Sequence, residues 1–316
     1  MIEFISPFSR TPLQRKGDSL VSQAGERFPI IKDVPRFVDS DNYASAFGLE
    51  WNRHRKTQLD SFTGINLSKV RLERCLGMPI ERLKGKTVLE VGCGAGRFTE
   101  LMVHAKALVH SIDLSVAVEA NQENIGTQIN YRIAQADLRN PPFSPNSFDF
   151  VFCLGVLQHT PSTEESIKSI YAMVKPGGIL VIDHYIWSIK QVTKLMWLYR
   201  MILKRLSPTR SKKITDRLVD IFFPLHKAVG EFFPAQALLS RVSPCLVYFH
   251  YHPELSDELQ LDWSRLDTYD QLTDYYKRLH TPSQIHRMLD SVGADNVRIT
   301  RNGNGVEARC QKPKTA

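Results

Sequence analysis

The stretch Val88-Leu89-Glu90-Val91-Gly92-Cys93-Gly94-Ala95-Gly96-Arg97-Phe98 constrains this chain more than any other. A short β-favouring run enters three glycines spaced two apart, and a helical pattern follows. Glycine has no Cβ, so such a turn lets the backbone pass close to a nucleotide-like ligand at the start of a helix. Glu90 stands on the strand that enters the turn. A carboxylate there would repel a pyrophosphate, whereas it can hold the ammonium group of an amino acid.

Four further segments fall into register behind it. Leu108 to Ile112 reads as a second strand ending at Asp113. An acid about twenty residues after the turn is placed to accept hydrogen bonds from both hydroxyls of a ribose. Tyr131 to Ala134 is a third strand, followed by Ala136-Asp137-Leu138. Phe148 to Cys153 is a fourth, running into Leu154-Gly155-Val156-Leu157-Gln158-His159. Val174-Lys175-Pro176-Gly177-Gly178 breaks a helix before a fifth strand, Ile179 to Ile182.

In this order and spacing the five segments resemble the class I S-adenosylmethionine-dependent methyltransferases, whose glycine turn has the form E/D-x-G-x-G-x-G. The resemblance covers residues 85–185. It implies an α/β, doubly wound, Rossmann-like seven-stranded sheet, with S-adenosylmethionine as the cofactor. It further implies cofactor contacts from Glu90, Gly92, Cys93, Gly94 and Gly96, from Asp113 and Leu114, from Asp137 and Leu138, and from Leu154 and Gly155. In that family the acid at the Asp137 position meets the adenine amino group, and the next backbone N–H meets the ring.

At 316 residues the chain can hold this domain and substantial additions. Its 42% hydrophobic and 23% charged content is that of an ordinary globular protein. No apolar run approaches the roughly 18–20 residues of a membrane span. The start, Met1-Ile2-Glu3-Phe4, has no basic region ahead of an apolar core, so the expected location is cytoplasmic. Cys75, Cys93, Cys153, Cys245 and Cys310 form no C-x-x-C pair, and no metal site is expected.

Residues 1–40 read as a small β unit. A hairpin of Leu20–Gln23 and Arg27–Ile31 turns around Ala24-Gly25-Glu26 and is closed by Val34–Val38. The unit resembles the zinc-ribbon-like (Trm112-like) segment ahead of many bacterial methyltransferases. That segment begins with C-x-x-C, whereas Ser6 and Ser9 stand at this spacing here, and a hydroxyl is a poor zinc ligand. Residues 41–84 read as a helical cap. Within it, Tyr43 to Arg53 resembles a stretch preceding the glycine turn in methyltransferases of polysaccharide and natural-product pathways. Tyr43, Trp51 or Arg53 would touch the cofactor, or their helix would pack on the sheet edge. Residues 281–316 should complete the core. A helix capped by Thr281 with Pro282 in its first turn ends at Gly293, and strands 296–300 and 305–310 pair across Asn302-Gly303-Asn304.

Between them, residues 186–280 form an insertion longer than the fold requires, expected to be a helical lid over the carboxyl ends of the strands. Ile189, Val192, Leu195, Met196, Tyr199, Ile202, Leu203 and Leu206 follow the three-and-four spacing of an amphipathic helix. The window 186–217 holds nine basic residues against one acid, Asp216, a surplus equal to the whole chain's formal +8. A lid helix with a basic outer face, or proximity to a membrane surface, fits this pattern. No recognised RNA module accompanies the charge, so nucleic acid is not the expected partner.

Methyl transfer to a hydroxyl needs a base beyond strands four and five. His159 and His184 occupy those ends, and histidine titrates near working pH. Leu266-Asp267-Thr268-Tyr269-Asp270, with Tyr275, Tyr276 and His280, resembles a motif of sugar-pathway methyltransferases. It would supply Tyr269, Tyr276 and His280 to the substrate, with Asp270 as a further candidate base. The chain therefore reads as a methyltransferase directed at oxygen on a sugar-containing or natural-product small molecule. A lipid-linked or quinone-like acceptor, RNA, and a non-catalytic partner subunit are the alternatives.

Overall fold

A computed structural model describes residues 1–39, 42–44, 48, 51–189, 194–230, 232–303 and 305–314. The chain opens with four short antiparallel strands, β1 (Leu13–Arg15), β2 (Ser19–Ser22), β3 (Arg27–Ile31) and β4 (Val34–Pro35). The expected hairpin is there, joined by an extra strand, β1. Hydroxyls and a carboxylate close its open end. Ser9 Oγ donates to Glu26 Oε2 at 2.5 Å, Thr11 Oγ1 lies 2.9 Å from Ser9 Oγ, and Ser6 Oγ accepts from the amides of Phe8 and Ser9. Hydrogen bonds from Ser6, Ser9 and Ser22 hold the Glu26 carboxyl down to about 2. Phe37 packs with both Phe4 and Phe28, and Phe37 N donates to Gln135 O at 2.8 Å, so the unit covers an edge of the main sheet.

The main sheet holds β5 (Thr87–Val91), β6 (Leu108–Asp113), β7 (Tyr131–Gln135), β8 (Phe148–Cys153), β9 (Val174–Tyr185), β10 (Asp295–Thr300) and β11 (Gly305–Gln311). Their order is β10-β11-β9-β8-β5-β6-β7. β5 to β9 run parallel, while β11 lies antiparallel to both β9 and β10. This is the seven-stranded, doubly wound sheet expected from the sequence. Buried strands need apolar residues on both faces, and β5 supplies them. Val88 packs with Leu72, Leu76 and Met102, whereas Leu89 and Val91 pack with Ile167, Ile170, Ile285 and Leu289. The helices concerned are α2 (Leu67–Leu76) and α3 (Thr99–His104) on one face, and α5 (Thr163–Ala172) and α10 (Pro282–Ser291) on the other. This part also holds two short helices, α1 (Asp60–Thr63) and α4 (Ala117–Ile125). Strand order reverses between β5 and β8, and in such sheets the crevice outside those strand ends is where ligands bind.

The α10 cap is as expected. Thr281 Oγ1 accepts from Gln284 N at 3.3 Å, and Gln284 Oε1 accepts from Thr281 N at 2.8 Å. The Pro176-Gly177-Gly178 run does not precede the fifth strand but lies inside β9, where the register with β8 shifts. Asn304, in the expected turn between the last strands, lies outside the described residues, as do Ser45, Ala46, Phe47, Leu49 and Glu50 of the cap stretch.

The insertion is helical: α6 (Met196–Leu203), α7 (Pro208–Val229), α8 (Phe233–Val242) and α9 (Asp257–Thr273). α9 is its spine, giving Leu272 to a cluster with Met196 and Leu203, and Leu261 to one with Val219 and Phe223. The periodicity drawn from Ile189 to Leu206 describes the buried face of α6 in part: Met196, Tyr199, Leu203 and Leu206 join the interior cluster. The residues α6 buries are Met196, Arg200 and Leu203, while Leu195 and Ile202 face outward. Arg200 is buried because its guanidinium donates to Gln271 O at 2.6 Å and Asp274 O at 3.0 Å, at the end of α9. Val192 lies outside the described residues.

Candidate active site

A cavity of about 360 Å³ opens where the strand order reverses, and both the core and the insertion line it. Its floor is the glycine turn. Gly92 has φ +73°, and a Cβ there would stand 2.1 Å from Val156 Cγ2, so only glycine lets the turn lie against the segment leaving β8. Gly94 has φ +48°, and Trp51 from the cap lies over it. Tyr43 also lines the cavity, whereas Arg53 is exposed and does not reach it.

Asp113 ends β6 on the cavity wall. Its Oδ2 accepts from Gly94 N at 2.9 Å, and its Oδ1 accepts from Ser115 N at 2.8 Å and Ser115 Oγ at 2.7 Å. The carboxylate is thereby fixed to the turn it faces, although burial raises its pKa. Asp137 lines the cavity beside Leu138 and is clamped by Arg139, whose Nη2 lies 2.6 Å from Oδ2. Cys93, Leu114, Leu154 and Gly155 line it too. Gly155 N donates to Asp183 Oδ1 at 2.5 Å, and Asp183 also pairs with Arg71, itself a wall residue.

Glu90 is brought elsewhere. It is buried beneath the turn, outside the cavity lining, and its Oε2 accepts from Thr99 Oγ1 at 2.6 Å and Ser111 Oγ at 2.9 Å. Burial pushes its carboxyl up to about 7. Through Oε2 it braces β5, β6 and the helix after the turn, while its Oε1 is buried without a hydrogen-bond partner.

On the far side, His159 and Asp270 reach the cavity and His184 does not. His159 Nδ1 lies 2.9 Å from Asp274 Oδ2, and burial lowers its pKa to about 4 although Asp270 acts in the opposite sense. Asp274, buried on both sides, also pairs with Arg200 and with Lys277 Nζ at 3.3 Å. Lys277 lines the cavity with its ammonium 4.8 Å above the Tyr185 ring. Burial and Arg200 lower its pKa to about 7. Asp270 Oδ1 is buried with no hydrogen-bond partner, a polar atom that a ligand could satisfy. Asp267 is held by Tyr248 Oη, by Trp263 Nε1 at 3.0 Å and by Gln58 Nε2 at 3.2 Å, and burial raises it to about 6.

His184 is fully buried behind the wall, 3.2 Å from Thr163 Oγ1 through Nε2 and 2.9 Å from Tyr185 O through Nδ1. His280 packs against it with the rings tilted and their centroids 4.8 Å apart, and shares that location. Tyr269 is buried toward α7, its hydroxyl 3.4 Å from Pro208 O. Tyr276 stands behind Tyr43, with ring centroids 5.3 Å apart, and is not on the wall. Sequence reasoning missed Arg71, Arg97, Tyr185, Tyr248 and Lys277 as wall residues. Arg97 directly follows the last glycine of the turn, a signal that could have flagged it. Arg71 and Tyr248 carry no local signal. Among the described residues no group of His, Cys, Asp and Glu could hold a metal ion.

The parts fit a nucleoside-bearing cofactor: a turn that a Cβ would fill, an acid fixed at the end of β6, and a cavity within the ~300–1,000 Å³ usual for such ligands. Residues 89–182 match the methyltransferase domain family. Over 100 residues the chain is 40% identical to the ubiquinone biosynthesis O-methyltransferase of Pseudomonas putida and 38% identical to that of Pseudomonas fluorescens. Each match takes in 30% of this chain and 43% of the relative, so the chain spans less than half the length of these curated relatives. Among solved structures, the CurJ carbon methyltransferase is similar over 84% of this chain and 59% of its own, at TM-score 0.48 and 14% identity. The magnesium protoporphyrin IX methyltransferase of Synechocystis PCC 6803, solved with S-adenosylhomocysteine, is similar over 86% and 97%, at TM-score 0.43 and 14% identity.

Proposed function

We propose that this chain, whose residues 89–182 are a class I S-adenosylmethionine-dependent methyltransferase domain, methylates a hydroxyl of a small molecule held between that domain and the α6–α9 insertion. When bound, S-adenosylmethionine supplies an electrophilic methyl group on a sulfonium. Gly92 and Gly94 admit the cofactor to the backbone, Asp113 takes the ribose hydroxyls, and Asp137 with Leu138 receives the adenine. Holding two partners in line removes much of the entropic barrier to transfer.

The observation that carries the oxygen-directed reading is His159 on the wall with its Nδ1 2.9 Å from Asp274. Donation of the Nδ1 proton to the carboxylate puts the lone pair on Nε2, and burial keeps the ring neutral at pH 7. His159 then accepts the hydroxyl proton as the oxygen attacks, and Asp274 stabilises the resulting imidazolium. Asp270 and Lys277 flank this point and orient the acceptor through hydrogen bonds.

Two features favour a hydroxylated, quinone-like or phenolic ring over a sugar as the acceptor. Tyr185, Tyr248, Leu246 and Ile186 give the insertion side of the wall a largely aromatic and apolar character, and the matching relatives are named for ubiquinone biosynthesis. The row Asp267, Asp270 and Gln271 is what would serve a sugar instead. The test is transfer of labelled methyl from S-adenosylmethionine to paired acceptors, a catechol bearing a prenyl tail and a free or nucleotide-linked sugar. The expected product is the methyl ether of the catechol. His159→Ala should lower turnover at least about a hundredfold with S-adenosylhomocysteine affinity unchanged. Methylation of the sugar alone would transfer the reading to that acceptor, and full turnover by the variant would remove His159 as base.

A further inference from the structure

The outer face of the insertion is apolar where a helix bathed in water would be polar. α7 buries Ser211, Thr215, Val219, Phe223 and His226 inward. Yet Ile214, Ile221 and Leu225, seven and four residues apart and hence on one helix face, stand exposed. α6 adds exposed Leu198, Met201 and Ile202, the last 64% accessible. α8 has no buried residue, and its Phe233 and Leu238 are 80% and 72% accessible, with Phe232 just ahead of it. The three helices are tied together. Leu195 N donates to Arg241 O at 2.9 Å, and His226 of α7 meets Gln236 at 2.7 Å and Ser243 at 3.0 Å. Scattered exposed apolar residues are ordinary, but a run of them along adjoining helices marks an interaction surface.

Charge identifies the partner. Lys204, Arg205, Arg210, Lys213 and Arg217 are all exposed among these apolar side chains. The nearby acids are engaged, Asp216 with Lys212 at 2.5 Å and Asp220 with Arg265 at 2.8 Å. The geometry points to a docking surface for an anionic lipid bilayer, formed by α6, α7 and α8, which lie in the interface with apolar side chains among the acyl chains and cations on the headgroups. A symmetric second copy would press these five cations against their own images. Nucleic acid would neutralise the cations but leave Leu198, Met201, Phe233 and Leu238 uncovered. No described helix is long and apolar enough to cross a membrane, so the contact is peripheral. The surface stands apart from the reaction proposed above, since none of its residues lines the cavity.

The test is sedimentation of the full-length chain with sucrose-loaded vesicles, phosphatidylcholine alone or with about a third phosphatidylglycerol. The wild type should partition at least tenfold more strongly onto the anionic vesicles and be released by high salt. Lys213→Glu/Arg217→Glu should lose at least tenfold in partitioning, and Phe233→Ser/Leu238→Ser should lose a similar factor. Both should keep wild-type S-adenosylhomocysteine affinity and melting temperature, which shows that they fold. Absence of wild-type binding, or equal binding by both variants and wild type, would overturn the proposal. So would a concentration-dependent dimer abolished by Phe233→Ser/Leu238→Ser, or RNA binding that depends on Lys213 and Arg217 but not on Phe233.

Discussion

The two walls of the cavity are built on different physics. On the cofactor side, polar groups are settled locally. Asp113 is fixed by amides of Gly94 and Ser115, and the turn donates from Gly92 N to Ile112 O at 2.7 Å. On the acceptor side, order comes from buried charge. Asp274, His159, Arg200 and Lys277 form one cluster from three segments, and Asp267 is reached by Gln58 from 209 positions away. The first wall rests on backbone geometry that a parallel sheet provides anyway. The second exists only once the insertion has docked, and its cations and carboxylates depend on each other for compensation. Ligand affinity on the cofactor side should therefore tolerate damage to the cluster, whereas the cluster should not tolerate loss of a member.

The sharpest way to break this contrast is Asp274→Asn. Removing the charge leaves Arg200 buried without its carboxylate, and breaking a buried pair from one side costs about 3–5 kcal/mol. Urea unfolding should show that loss, and turnover should fall as His159 loses the partner on Nδ1. S-adenosylhomocysteine binding to the folded fraction should be retained. A change below ~1 kcal/mol would mean that the insertion does not depend on its charge cluster.

A smaller effect is expected from the opposite wall. Asp113→Ala removes the acceptor that faces the ribose and the ties to Gly94 and Ser115. Loss of hydrogen bonds to a charged group should weaken S-adenosylmethionine binding by about 1.5–3 kcal/mol, with folding stability changed less than by Asp274→Asn. Calorimetry on the folded variant decides this. Unchanged affinity would show that the strand-end acid is not part of the cofactor site.

The same contrast explains what was legible in the residues. Gly92, Gly94, Asp113, Asp137 and the Leu154-Gly155 turn are legible because each acts on neighbours close in sequence or at a strand end whose place the fold dictates. Misplaced residues fail by face, not by segment. Side chains alternate along a strand, so on β9 Asp183 and Tyr185 serve the cavity while His184 between them points away. On α9 the cavity takes Asp267, Asp270 and Gln271, spaced as one helical face, and this turns Tyr269 toward α7. Glu90 sits below the wall because Thr99 and Ser111 hold one oxygen of its carboxylate inside the core, a placement that the strand sequence does not announce. Arg71 is not legible because its partner Asp183 lies 112 positions away, and Lys277, although it pairs with Asp274 three residues before it, reaches the wall only through its packing over Tyr185.

The finest test concerns His184, which the alternation of β9 assigns to structure and not to chemistry. Its ordinary pKa of 6.5 is lowered to about 4, first by burial. Between those values the unfolded chain binds a proton that the native chain refuses, so this histidine makes stability rise with pH across the window and fall on acidification. Other groups titrate there too. Glu90, at about 7, and Asp267, at about 6, act with the opposite sign, because the native carboxyls hold protons that the unfolded chain releases. The wild-type profile alone is therefore a mixture, and the informative quantity is its difference from His184→Gln. Glutamine can still serve Thr163 and the Tyr185 carbonyl but does not titrate. The variant should be less stable than wild type at pH 7, and the gap should shrink on the order of 1–2 kcal/mol between pH 7 and pH 4.5. Its turnover at pH 7.5 should stay within a few-fold of wild type, in contrast to His159→Ala. A pH-independent gap, or a hundredfold loss of turnover, would put His184 back at the reacting atoms and end the division of the two histidines.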